Sequence, residues 1–409
     1  MRGGRVAIAL LLALSGLPAV AQEAPVWRPA WTAAAAPARF DGPPEAPLGY
    51  LNQTIRQDIR VGVAAEAVRL RVSNEVGLEP LTLENVTAAG PDGRVLPVTF
   101  SGLSDIVIPV GVALLSDPLP IALDRSDLLT VSLHAPGPTR GVVRRVAVRL
   151  GEGEAAVSSD APLVRRQSFI SAVYALTDEP PSVIVALGDS ITEGSSSTLG
   201  AEADWPSVLD RRLEAACPGA FVVVNAGISG NQVVRDGRSP NVRARLDRDV
   251  LSLPGVTHVL LIEGVNDIRH DGNPANVGRT PEEVIASYRQ VIARLHLRGI
   301  KVIGGTLTAF GGSERFDERS ETARQTINAF IRDSGEFDAV ADFDLATRDP
   351  AHPEAMQADL VGNDRLHPND QGYAAMAGAV DLTAFIGEPA SRLALRGGCA
   401  LSGFLLPHG

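Results

Sequence analysis

The chain has 409 residues, a formal net charge of −11, 45% hydrophobic residues and 21% charged residues. That length predicts two domains, each with enough apolar residues for a sizeable core. The acidic balance and the lack of basic runs argue against a nucleic-acid partner or an anionic membrane surface.

Arg2 and Arg5 precede the apolar run Val6 to Leu14, and Ala19-Val20-Ala21 supplies the small residues of a cleavage site. Residues 1–21 are therefore expected to be a signal peptide, whose removal leaves a secreted or periplasmic protein. The apolar run falls short of the ~20 residues that a membrane span needs. No other segment is long and apolar enough, so stable membrane insertion is not expected. Gln22 to Pro47 is rich in Ala and Pro, carries Trp27 and Trp31, and is expected to wrap the surface without adding a core element.

From Tyr50 onward the pattern has a period of two. Val68, Leu70 and Val72 alternate with Arg69, Arg71 and Ser73, and Ile106, Ile108 and Val110, then Leu129, Val131 and Leu133, then Val146, Val148 and Leu150 repeat the spacing. Such runs predict strands with one buried face. Turn chemistry separates them at Asn74 with Gly77, Gly90-Pro91-Asp92-Gly93 and Pro136-Gly137-Pro138. The prediction is an antiparallel β-sandwich over 22–176, ending near the proline-containing stretch Thr177 to Pro181.

Strand and helix patterns then alternate. Strands are predicted at Val183 to Leu187, Phe221 to Val224, His258 to Ile262, Val302 to Ile303 and Ala339 to Phe343. Helices are predicted at Trp205 to Ala216, Pro281 to Leu297, Glu318 to Arg332 and Asp370 into Phe385. Asp204 is a candidate N-cap for the first helix, with Pro206 in its opening turn. Buried strands with helical crossovers predict an α/β domain over 182–389, a parallel sheet in a three-layer αβα arrangement, followed by a tail over 390–409. Cys217 and Cys399 can pair in an oxidising compartment or stay free, and they lack the spacing of a zinc site.

Four short blocks follow predicted strands or precede the last helix. Gly188-Asp189-Ser190 ends the first strand of the α/β domain, so Ser190 sits where open α/β sheets bind ligands. It is a candidate nucleophile if a base and oxyanion donors converge on it. Asn225 to Asn231 contains glycines that let backbone N–H groups approach a ligand, although a tight turn explains them equally well. In Gly264-Val265-Asn266-Asp267 the Asn266 amide can donate to a developing oxyanion, or cap the next segment. Asp364 and His367 are three residues apart, close enough for the carboxylate to meet a ring nitrogen. The other histidines, His134, His258, His270, His296, His352 and His408, show no comparable partner in the sequence and receive no role.

Taken in order, these blocks resemble those of the SGNH hydrolases, also called the GDSL lipase/esterase family, over roughly Ser182 to Pro389. Asp204-Trp205-Pro206 adds to the likeness, and Leu70 to Gly77 resembles the β-rich domain that precedes the hydrolase domain in some secreted members. The resemblance implies that Ser190 is the nucleophile, His367 the base and then the acid, and Asp364 the carboxylate that orients it. It also implies oxyanion donors from the Ser190 N–H, the Gly230 N–H and the Asn266 side chain. Many members have Gly-Gly-Asn-Asp where this chain has Val265, which is expected to narrow the pocket beside it. Asp189 is expected to stabilise the nucleophile loop without reacting.

The expected function is hydrolysis of carboxylic esters, among them O-acetyl groups on saccharides or short acyl esters, without cofactor or metal. Two other readings stand beside it. One is a non-catalytic carbohydrate-binding or adhesion protein. The other is a metallophosphoesterase using Asp189, Asp267 and Asp364, which the lack of a His-rich ligand set disfavours.

Overall fold

The computed structural model describes residues 24–38, 49–269, 278–385 and Cys399. The expected signal peptide and most of the C-terminal tail lie outside the described residues.

The N-terminal part consists of antiparallel sheets. One has four strands in the order Val26–Thr32, Ile170–Thr177, Ala67–Ser73, Ala113–Leu115. The other is built on Val164–Gln167, Arg145–Glu152, Gln53–Arg60, Leu128–Ala135 and Leu81–Ala89 in that order. The period-two residues behave as expected from the pleat. Val68, Leu70, Val72, Leu129, Val131 and Leu133 are all at most 1% exposed, and both sheets feed one hydrophobic core. Two differ: Val110 lies beyond its strand, which ends at Ile108, and is exposed, and Leu150 is only half-buried.

The Ala/Pro-rich stretch departs from expectation. Val26–Thr32 is a strand paired with Ile170–Thr177, and Ala33 to Ala36 are buried. Small side chains are what allow this backbone to press against the α/β part. Thr32 Oγ1 donates to the Asn225 carbonyl at 3.0 Å, and Arg248 Nη2 donates to that of Ala35 at 2.9 Å.

The α/β part holds a five-stranded sheet in the order Phe221–Gly227, Ser182–Gly188, Val256–Ile262, Lys301–Gly305, Ala339–Ala341, with every pairing parallel. The first strand in sequence is thus flanked by the second and third. The strand order reverses there, which opens a crevice beyond their carboxyl ends. Helices Trp205–Ala216, Pro281–His296 and Glu318–Asp333 match their amphipathic patterns. Asp204 caps the first through its side chain to the Ser207 N–H, as expected. Two ends differ. The fifth strand stops at Ala341 because Asp342 caps a short helix from Phe343, and the last helix stops at Gly378 before a turn of 3₁₀ helix at Leu382–Phe385. Cys217 and Cys399 are joined by a disulfide.

Candidate active site

The strand Ser182–Gly188 is buried at every position, and the chain turns sharply at its end into the short helix Ser190–Glu193. Gly188 is needed here for space. A Cβ would lie 2.3 Å from both the Ile262 carbonyl oxygen and Thr192 Oγ1. Asp189 caps the helix by accepting the Ile191 N–H at 2.9 Å, so its role in holding the loop is as expected. Ser190 becomes the first helical residue, with its hydroxyl at the carboxyl edge of the sheet.

The Asp364–His367 turn meets it there. Asp364 Oδ1 accepts the N–H groups of Leu366 and His367, each at 3.0 Å, while Oδ2 lies 2.5 Å from His367 Nδ1. His367 Nε2 lies 2.8 Å from Ser190 Oγ. An ionised carboxylate only accepts, so the ring proton sits on Nδ1 and Nε2 turns a lone pair to the serine hydroxyl. Burial favours the neutral acid of Asp364, but the His367 ring and the two amides outweigh it and hold the group below the usual carboxylate range. The turn stores backbone strain, since Arg365 adopts a left-handed φ of 58°.

The second and third blocks line the same cleft. Gly230 takes a φ of 71°, a conformation that favours glycine. The Asn266 amide donates to Asp189 Oδ2 and to the Asn231 carbonyl, both at 3.1 Å. Val265, in contrast, is 2% exposed and packs into the core, so it does not shape the cleft wall. Among the described residues the cleft has a volume of about 570 Å³ and a polar lining that includes Ser190, Gly230, Asn266, His367, Arg145 and Arg269.

Beneath the Ser190 loop sits a group of buried acids. Burial pushes Asp189 up to about 6 and Asp267 up to about 7, and it raises Glu263 well above the ordinary value, helped by the charges of Asp189 and Asp267. Asp267 accepts the N–H groups of Val233 and Val234 at 3.0 and 2.9 Å, tying the second block to the third. These bonds, with those of Asp364 and Asp189, commit the three carboxylates to backbone amides, His367 and Asn266, which removes the basis for a metallophosphoesterase reading.

Several supporting residues carry no sequence signal. Arg245, 1% exposed, donates to the carbonyls of Gly188 and Ala226 at 2.9 and 2.7 Å and to Asn231 Oδ1 at 2.9 Å, joining the first and second blocks from below. It also pairs with Asp249 at 2.9 Å. Arg145, on a strand of the N-terminal part, donates to Glu193 Oε1 at 3.2 Å and to Ser229 Oγ at 3.0 Å. No pattern in the sequence announces either arginine, because each finds its partners through long-range packing.

A serine, a histidine and an aspartate in hydrogen-bonded series at the edge of a parallel αβα sheet define a serine hydrolase. Residues 186–375 match the model of the GDSL-like Lipase/Acylhydrolase family. The chain carries a domain of that family and is an ester-hydrolysing serine hydrolase. Similar solved structures include a lipolytic protein of the G-D-S-L family from Desulfitobacterium hafniense, with 20% identity, 52% of this chain and 99% of that chain covered, and a TM-score of 0.38. Another is an acetylxylan esterase from Geobacillus stearothermophilus, with 22% identity, 51% and 96% covered, and a TM-score of 0.39. No curated protein matches the sequence significantly. No helix among the described residues is long and apolar enough to cross a membrane.

Proposed function

We propose that the protein, after loss of residues 1–21, acts outside the cytoplasm as an esterase that forms an acyl-enzyme on Ser190. The observation that carries this reading is the position of the His367 ring, 2.8 Å from Ser190 Oγ on one side and 2.5 Å from Asp364 on the other. A serine hydroxyl attacks poorly until a base takes its proton. As Ser190 Oγ bonds to the ester carbonyl carbon, His367 Nε2 takes the proton and Asp364 stabilises the imidazolium. The carbonyl oxygen becomes an oxyanion facing the N–H groups of Ser190 and Gly230 and the amide of Asn266. Both hydrogens of the Asn266 N–H₂ are engaged, by Asp189 Oδ2 and the Asn231 carbonyl, so the amide serves the oxyanion by exchanging one of these bonds as charge develops. Collapse expels the alcohol with the proton from His367. Water, deprotonated by His367, then attacks the acyl-enzyme and releases the acid.

The substrate class is a short acyl ester of a polar alcohol, such as an O-acetylated saccharide. The polar, arginine-bearing lining supports this, since it offers hydrogen bonds to hydroxyl groups and little apolar wall for a long acyl chain. In this reading the domains are the β domain over 22–176 and the hydrolase domain over 182–389. The β domain acts mainly as a support, bracing the nucleophile helix through Arg145.

A fluorophosphonate probe followed by peptide mass spectrometry tests the chemistry. Labelling at Ser190 is expected, and a folded protein that labels elsewhere or not at all overturns it. Rates on acetylated xylo-oligosaccharides against aryl esters of graded chain length test the substrate class. A preference for long acyl chains overturns that part.

A further inference from the structure

His134 lies in the strand Leu128–Ala135, 3% exposed, far in sequence from the catalytic blocks and outside the cleft lining. Its ring nitrogens face different surroundings. Nε2 is 3.1 Å from Asn52 Oδ1, an acceptor, which places the ring proton on Nε2. Nδ1 is then a lone pair. It is buried and has no hydrogen-bond partner, yet it points at two carboxylates, with Glu84 Oε2 at 3.5 Å and Glu154 Oε1 at 4.0 Å. Three electron-pair donors converging without a hydrogen between them repel one another, and a cation at their centre reverses the sign of that interaction.

The backbone is shaped to make this convergence. Glu84 is paired opposite His134 across the sheet, and the register shifts between Glu84 and Thr87. Asn85, inside that irregularity, takes a left-handed φ of 49°. A bulge of this kind re-aims side chains next to functional sites. The same Asn85 donates to Glu154 Oε2 at 3.0 Å, leaving Oε1 turned toward the ring. On the third side the Gly153 N–H donates to the Asn52 carbonyl at 2.7 Å, so the residue that fixes the His134 tautomer also anchors the loop that carries Glu154. A ring nitrogen held by an acceptor while the other faces a metal is the usual arrangement of a ligating histidine.

We propose that Glu84, His134 and Glu154 form a divalent-metal site on the β domain, suited to Zn²⁺, with water completing the coordination. The donor atoms all lie within 4.8 Å of one another. Tetrahedral zinc with bonds of ~2.0–2.1 Å needs donors about 3.4 Å apart. Glu84 already meets that spacing, and the exposed Glu154 closes the rest by a side-chain rotation. One imidazole with two carboxylates favours zinc over calcium or magnesium, which prefer oxygen ligands alone. Bound there, the ion clamps the strands Leu81–Ala89 and Leu128–Ala135 to the loop after Arg145–Glu152. Its role is structural and independent of ester hydrolysis.

The test is calorimetric titration of the tag-free full chain with Zn²⁺ after chelator treatment, together with melting curves. One equivalent is expected to bind and to raise the melting temperature. Glu154→Gln and Glu84→Gln, both conservative changes at accessible carboxylates, are each expected to weaken binding by about tenfold or more. His367→Ala is expected to bind zinc as the parent does, which separates this site from the catalytic histidine. Absence of binding overturns the proposal. Binding that survives in both glutamine variants overturns it as well.

Discussion

His367 Nε2 stands 2.8 Å from Ser190 Oγ, although 177 residues separate the two in the chain. The sheet order brings the carboxyl end of the Ser182–Gly188 strand to the cleft, and the turn before the last helix delivers the ring to it. Replacing Ser190 by Ala removes the proposed attacking atom and one hydrogen bond. Turnover is expected to fall by about 10⁴-fold or more. Stability should change by less than about 1.5 kcal/mol. Steady-state rates and a denaturant melt on the same preparation check both halves.

Asp364→Asn preserves the acceptor for the Leu366 and His367 amides but can present an N–H₂ to the ring. His367 then favours the wrong tautomer, and kcat is expected to drop by about 10³–10⁴ with KM little changed. A variant whose kcat stays within tenfold of the parent shows that Asp364 does not set the tautomer.

Asn266→Ala removes the proposed side-chain oxyanion donor and leaves the proposed backbone donors of Ser190 and Gly230. The expected loss is about 10²–10³ in kcat. Substrate binding should hardly move, because the charge it serves is fully developed only in the transition state. Single-turnover kinetics separate the two quantities, and a loss confined to binding contradicts the oxyanion role.

Glu263 is buried with Oε2 unpartnered and its folded-state pKa raised by burial, then by Asp189 and Asp267. A carboxyl whose folded pKa lies above its unfolded one makes a contribution that is present below the unfolded value, near 4.3, and lost as pH rises toward the folded value. Glu263→Gln removes this loss. The variant's melting temperature relative to the parent is therefore expected to be higher at pH 8 than at pH 5. Comparing the two proteins at each pH cancels the groups they share, including His258, which burial lowers to about 4. A difference independent of pH contradicts the assignment.

Arg245→Met deletes a buried cation that satisfies two carbonyls, Asn231 and Asp249. Asp249 keeps its bidentate pair with Arg248, so the cost comes from the two orphaned carbonyls and Asn231 Oδ1, about 1–3 kcal/mol. Denaturant titration measures it, and an effect below about 1 kcal/mol contradicts the bracing role.

By itself, the sequence determined the features that depend on neighbours along the chain. The period-two runs placed Val68 to Val72 and Leu129 to Leu133 in strands, and Asp204 with Pro206 set the start of the helix at Trp205, because pleat, pitch and capping act over a few residues. The Asp364–His367 pairing was legible for the same reason, as one turn of backbone fixes it. The small residues of the Ala/Pro-rich stretch were misleading without a partner: Ala30 and Ala33 to Ala36 are buried only because Ile170–Thr177 pairs with that strand on one side and the second domain presses on the other. Tertiary structure alone decided that Arg245 and Arg145 brace the loops around Ser190 and Asn231, that Val265 faces the core, and that His134 meets Glu84 and Glu154. Each of these depends on strand order, on a bulge, or on contact between the antiparallel sheets and the α/β part. Such contacts join residues tens to hundreds of positions apart, which no local pattern encodes.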